Sequence, residues 1–168
     1  MKIICFALAA VILGTIPDIV RAGEGGTTCA TAQQIFSGSS YSGDTSAPGY
    51  GNPVGAMGPL PSPGNDAIYY FVSDGQASSG IAVTAAGYNF GIFLTTDCGG
   101  STAPPIQAAT GPTVPATLEI NNNGGALTAG ATYYIIVSAN PSDASAPSGT
   151  FSFSAPFIPV TLQSFTIN

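Results

Sequence analysis

The chain of 168 residues holds 22 Gly, 14 Pro, 3 Cys, no Trp and no His, with eight acidic side chains against two basic ones. That length suits a single domain, on a prior of about 100 to 200 residues per domain. The two basic residues are Lys2 and Arg21, so nothing beyond residue 21 carries a positive side chain. This excludes nucleic acid as a partner, because affinity for phosphate backbones depends on cationic side chains. It also excludes His-based triads, Lys Schiff bases and Arg clamps on phosphate. We expect no enzyme.

Met1-Lys2 is a short basic start, Ile3 to Ile16 is an apolar run, and Val20-Arg21-Ala22 places small residues before a cleavage point. This pattern predicts a secretory signal peptide over 1–22. A retained membrane helix needs about 20 apolar residues, and no later segment reaches that length, so no membrane span is expected after signal removal. The expected location is secreted, extracellular or at the cell surface. The acidic side chains left behind are Glu24, Asp44, Asp66, Asp74, Asp97, Glu119 and Asp143. Without opposite charges, side-chain salt bridges cannot form, and stability must come from apolar burial, backbone ladders and covalent staples.

Cys5 leaves with the leader, and Cys29 and Cys98 remain as an even pair. In an oxidising compartment the default is a disulfide between them, closing a loop of about 70 residues, with two buried free thiols as the alternative. Residues 36–66 are dominated by Gly, Ser, Pro, Asn and Tyr, without a helical or alternating period, and are expected to be a long surface loop or a pair of loops.

From Ala67 the texture changes. Segments 67–73, 80–86, 88–95, 116–121, 132–139 and 149–155 are short, rich in β-branched and aromatic residues, and separated by turn residues such as Asp74-Gly75, Asn123-Gly124-Gly125 and Ala129-Gly130. Phe151 and Phe153 alternate with Thr150, Ser152 and Ser154, as in a strand with one face on a core and one in water. The runs Tyr69-Tyr70-Phe71 and Tyr133-Tyr134-Ile135-Ile136-Val137 are apolar on both faces and are expected to be central strands. So many short strands need two packed sheets. The expected fold is all-β, an antiparallel two-sheet β-sandwich of jelly-roll type over residues 23–155, with a small closed barrel as runner-up.

Several pieces fall in the order seen in one family. They are Cys29-Ala30-Thr31-Ala32 with Gly43-Asp44-Thr45; Asn65-Asp66-Ala67-Ile68-Tyr69-Tyr70-Phe71; Tyr88-Asn89-Phe90 through Leu94, with Asp97-Cys98-Gly99; Leu127-Thr128-Ala129-Gly130-Ala131-Thr132-Tyr133-Tyr134-Ile135; and Gly149-Thr150-Phe151-Ser152-Phe153. Over residues 29–155 the chain resembles the bacterial pre-peptidase C-terminal domain and related secreted sandwiches. The resemblance implies a secreted, non-catalytic β-sandwich, of a kind that is usually appended to exported enzymes and in some cases binds calcium or extracellular polymers. Here no enzyme is attached, which points to a domain acting alone.

Three sets of candidate site residues follow. Asn65, Asp66, Asp74 and Asp97 offer oxygen ligands to calcium, the one cofactor considered; the alternative is that these aspartates cap their own turns. Tyr41 and Tyr50 sit in the loop region, where an exposed ring can stack on a sugar or anchor a protein. The segment 156–168 is an extra β-favouring strand, with Val160 and Leu162 on one face and Phe165 and Ile167 on the other. It pairs either with its own sheet or with a neighbouring copy, which would give a homopolymer. The functional expectation is a secreted, non-enzymatic structural or surface subunit that self-assembles into filaments. The alternative is a binding module for extracellular carbohydrate or protein polymers.

Overall fold

The structure, a computed structural model, describes residues 24–61, 63–76, 78–86, 88–99, 104–111, 116–143, 145 and 147–155. In chain order the strands are β1 (Gln33–Gln34), β2 (Ser39–Asp44), β3 (Ala56–Met57), β4 (Leu60–Pro61), β5 (Ala67–Val72), β6 (Ser78–Ala86), β7 (Phe90–Thr95), β8 (Gln107–Gly111), β9 (Ala116–Ile120), β10 (Thr132–Ala139) and β11 (Thr150–Ala155). The helical content of the described residues is one 3-10 turn, Cys29–Thr31. Among them no helix is long and apolar enough to cross a membrane.

One sheet has the order β1-β5-β10-β7-β8 and the other β2-β11-β6-β9, while β3 and β4 form a separate hairpin. Every pairing among the long strands is antiparallel; β1 adds to β5 in parallel. Leaving out the two-residue strands, the first, last, third and sixth strands make one sheet, and the second, seventh, fourth and fifth make the other. That is the double Greek key of a jelly roll. The expected β-sandwich is the observed fold, and β5 and β10 are interior strands of their sheet, as their two-sided apolar pattern requires.

Between the sheets lies the main core. Tyr69, Phe71, Ile135, Val137, Phe90, Ile92 and Leu94 point inward from the five-stranded sheet; Tyr41, Ile81, Val83, Leu118, Ile120, Phe151 and Phe153 meet them from the four-stranded one. Three rings interlock at its centre: Tyr41 stacks on Phe153 at 5.1 Å, and Tyr69 meets Phe153 edge-on at 5.0 Å. Burying each such ring stabilises the fold by roughly 1.5 to 3 kcal/mol.

A second apolar cluster covers the outer face of the five-stranded sheet. Ile68, Phe93 and Ile136 project there, against Val54, Met57 and Cys98, with Cys29, Ala32 and Leu60 packed around them. The Cys29–Cys98 disulfide, with Cα atoms 5.7 Å apart, staples the N-terminal turn onto this face. The paired state of the two cysteines is therefore the observed one.

The expectation of a long surface loop over 36–66 is corrected. The segment contains β2, an edge strand paired with β11, and the β3–β4 hairpin, whose Val54 and Met57 are 2% and 1% exposed. In β2 a single large apolar residue, Tyr41, faces the core, so no hydrophobic period is visible. Its next inward position is Gly43, where a Cβ would come within 2.8 Å of the Phe151 ring and 2.7 Å of the Glu24 carbonyl oxygen. The close approach demands glycine, and glycine makes a strand look like a loop.

Candidate functional site

Alternation along three adjacent strands builds one surface. In β11 Phe151 and Phe153 point inward, so Ser152 and Ser154 point out. The register sets Ser152 opposite Ser42 of β2 and Thr84 of β6, and Ser154 opposite Ser40 and Ala82. All six are exposed. With strands about 4.8 Å apart, the hydroxyls form a regular two-row array. Because every side chain is small, the surface sinks into a hollow of about 430 Å³ lined by Ser40, Ser42, Ala82, Thr84, Ser152 and Ser154, with Tyr41 and Phe153 at its floor. That volume lies within the range of about 300 to 1,000 Å³ usual for ligand sites.

Among the described residues no charged group lines the hollow. Its hydroxyls each donate one hydrogen bond and accept others, so the surface suits an uncharged polar partner. Asp44 lies one row beyond Ser42 at the end of β2. Its carboxylate accepts from the Ser46 hydroxyl and the Ser46 amide, which hold its pKa below the ordinary value. Thr117 and Glu119 of β9 continue the exposed face on the far side of β6.

Tyr41 does not reach this surface with its ring exposed, which corrects the expectation of a loop tyrosine free to stack. It is 4% exposed, and its hydroxyl accepts from the Phe36 amide at 2.7 Å. Its place in β2 opposite Phe153 dictates this, since an inward position must carry the apolar mass. Tyr50 is half-buried. Its hydroxyl donates to the Glu24 carbonyl, tying the loop to the N-terminal segment. Burial, followed by the charges of Glu24 and Asp44, raises its pKa.

The four proposed calcium ligands are spent on turns and loops. Asp66 is fully buried; its carboxylate accepts from the Val54 amide at 3.0 Å and so fixes the start of the hairpin that covers the five-stranded sheet. Asn65 donates to the Thr45 carbonyl at 2.8 Å. Asp74 accepts from the Gln76 amide and Asp97 from the Gly99 amide, each at 2.9 Å, as turn caps do. Among the described residues no three His, Cys, Asp or Glu side chains are grouped to hold a metal ion, so Asp66, Asp74 and Asp97 are not brought together. Val160, Leu162, Phe165 and Ile167 lie outside the described residues.

Sequence reasoning missed Ser40, Ser42, Ala82 and Thr84 as parts of a site. The alternation in β11 was a usable signal, but only the register shows that two neighbouring strands place small residues beside it. No family model, no curated protein and no solved structure matches the chain.

Proposed function

We propose that the chain is a secreted, non-enzymatic surface module that engages an uncharged extracellular polymer through the outer face of its four-stranded sheet. The observation that carries this is the hydroxyl-lined hollow over β2, β11 and β6, free of charged groups. A chain with acidic residues and no positive side chain beyond residue 21 repels anionic partners at long range, which favours a neutral one. Among the described residues the hollow holds no side chain able to act as a general base, and the chain has no His to activate a serine. Secretion follows from the leader pattern and agrees with a disulfide as the covalent staple. The likeness to pre-peptidase C-terminal domains belongs to the same proposal.

The test is retention of the purified chain on insoluble neutral polysaccharides and on protein fibres, with Ser152→Phe as the variant that fills the hollow. We expect retention on at least one polymer, lost in Ser152→Phe with its melting temperature unchanged. Wild-type protein that passes every matrix, or a variant retained equally well, would reject the proposal.

A second function, self-assembly by strand addition, draws support from the sheet edges. Among the described residues β1, β2, β8 and β9 have no partner strand on their outer sides. Phe36, 52% exposed, lies just before β2, whose approach is held to β11 by the Gly38 amide donating to the Ala155 carbonyl. An open edge beside exposed apolar surface is a template for another copy's strand. Deleting residues 157–168 should abolish any filaments seen by electron microscopy; filaments that persist would exclude that segment as the joining strand.

A further inference from the structure

Asn123 stands apart from the turns described so far. Among the described residues it is the non-glycine residue with left-handed backbone, at φ 50°, and Gly124 follows at φ 86°. Asn122 and Gly125 close the turn with reciprocal backbone bonds of 3.0 and 2.9 Å. Two consecutive left-handed residues make this a type I′ turn, for which Asn-Gly is the favoured pair. Both residues are exposed, and among the described residues none bonds the Asn123 carboxamide.

Asn-Gly occurs once in the chain. Asn52 and Asn140 precede proline, whose nitrogen carries no proton, and Asn65, Asn89, Asn121 and Asn122 precede residues whose side chains hinder the following amide. One chemical reaction needs the arrangement found at Asn123: an exposed carboxamide beside an unhindered backbone N–H.

We propose that Asn123–Gly124 is a site of spontaneous deamidation, and that Asn121 and Gln107 hold it in check. The Gly124 amide gives up its proton to base, and its nitrogen attacks the Asn123 Cγ. A C–N bond forms, the carboxamide C–N bond breaks, and ammonia leaves with a proton from the medium. Water then opens the resulting cyclic imide at either carbonyl, giving aspartate or isoaspartate. The net change is amide plus water to acid plus ammonia.

The restraint lies in the attacking nitrogen. The Gly124 amide donates to Asn121 Oδ1 at 2.7 Å, and the same oxygen accepts from Gln107 Nε2 at 2.9 Å. Gln107 is on β8 of the five-stranded sheet, so strand pairing fixes the acceptor and keeps the proton engaged. Once formed, isoaspartate lengthens the main chain inside a two-residue turn, so the Asn122–Gly125 bridge within the connection from β9 to β10 cannot persist. Either product also adds a negative charge to a chain with no cation beyond residue 21. In a protein without trypsin sites in that region, this turn becomes a clock for age outside the cell.

The experiment incubates the purified chain at mildly alkaline pH and follows isoaspartyl methylation and the mass of chymotryptic peptides. The variants are Asn121→Ala, Gln107→Ala and Asn123→Gln, with circular dichroism to confirm folding. We expect modification at Asn123 alone, about fivefold faster in Asn121→Ala, the rate equivalent of one ordinary hydrogen bond. Gln107→Ala should be faster by a smaller factor and decides the matter if Asn121→Ala does not fold. Asn123→Gln should abolish the reaction. An unmodified wild type, or folded variants that age at the wild-type rate, would overturn the proposal.

Discussion

The five-stranded and four-stranded sheets share one core, yet their outer faces differ. Outward residues of the first are Ile68, Phe93 and Ile136, sealed under Val54, Met57 and the disulfide; those of the second are Ser40, Ser42, Thr84, Ser152 and Ser154, open to water. Successive strands cross between the sheets, so the difference is not one of chain region. It arises because the segment between β2 and β5 folds back as a hairpin over one sheet only, and each strand's outward residues match the cover they receive. The covered sheet buries apolar side chains on both of its faces, whereas the bare one keeps its outward hydroxyls in water.

Four measurements would break or sharpen this contrast. The largest effect is expected for Phe93→Ala, which removes an outward ring from the covered sheet and should cost about 3 to 5 kcal/mol in urea unfolding. The matching outward change on the bare sheet, Ser154→Ala, should stay within about 0.5 kcal/mol. Equal costs would mean that the two faces are not differently covered. Next, replacing Cys29 and Cys98 together by serine should cost about 2 to 5 kcal/mol, because the staple closes a long loop of the unfolded chain.

Third, Asp66→Ala leaves the Val54 amide without its acceptor at the root of the hairpin and should cost about 1 to 3 kcal/mol. Limited proteolysis should then cut within residues 52–61 before it cuts the strands; uniform resistance there would show that the hairpin does not depend on Asp66. A smaller effect than these is expected for Tyr88, buried in the main core, whose hydroxyl lies near the Thr45 side chain without a well-formed hydrogen bond. Tyr88→Phe should be neutral or stabilising by up to about 1 kcal/mol. Burial pushes this phenol from 10.0 up to about 12. The native state therefore holds its proton where the unfolded state loses it, and stability falls as pH rises from about 10. The variant should lose part of that alkaline sensitivity in melting curves between those two values.

Much of the fold was legible in the residues. β10 coincides with its expected span, and β5, β6, β7, β9 and β11 fall within two residues of theirs, because each carries large apolar or alternating side chains bounded by turn residues. β8, Gln107–Gly111, was not foreseen: its Ala, Thr and Gly give no hydrophobic signal, and pairing with β7 makes it a strand. β2 was hidden for a related reason, with serines outward and glycine where a ring passes. Of the site, the aspartates were visible as turn caps, whereas the hydroxyl face was not, since it comes from three strands distant in sequence.

Composition and local pattern by themselves determined that this chain forms short antiparallel strands around an aromatic core, carries no cationic chemistry beyond residue 21, and has one pair of cysteines beyond that residue. These follow from side-chain type and period, which act over a few residues. Tertiary structure alone decided which sheet the 52–61 hairpin covers, that Tyr41 turns inward, and that serines from β2 and β11 meet Thr84 of β6. Register and layer packing bring together residues far apart in the chain, and small side chains leave no periodic signal from which that meeting could be read.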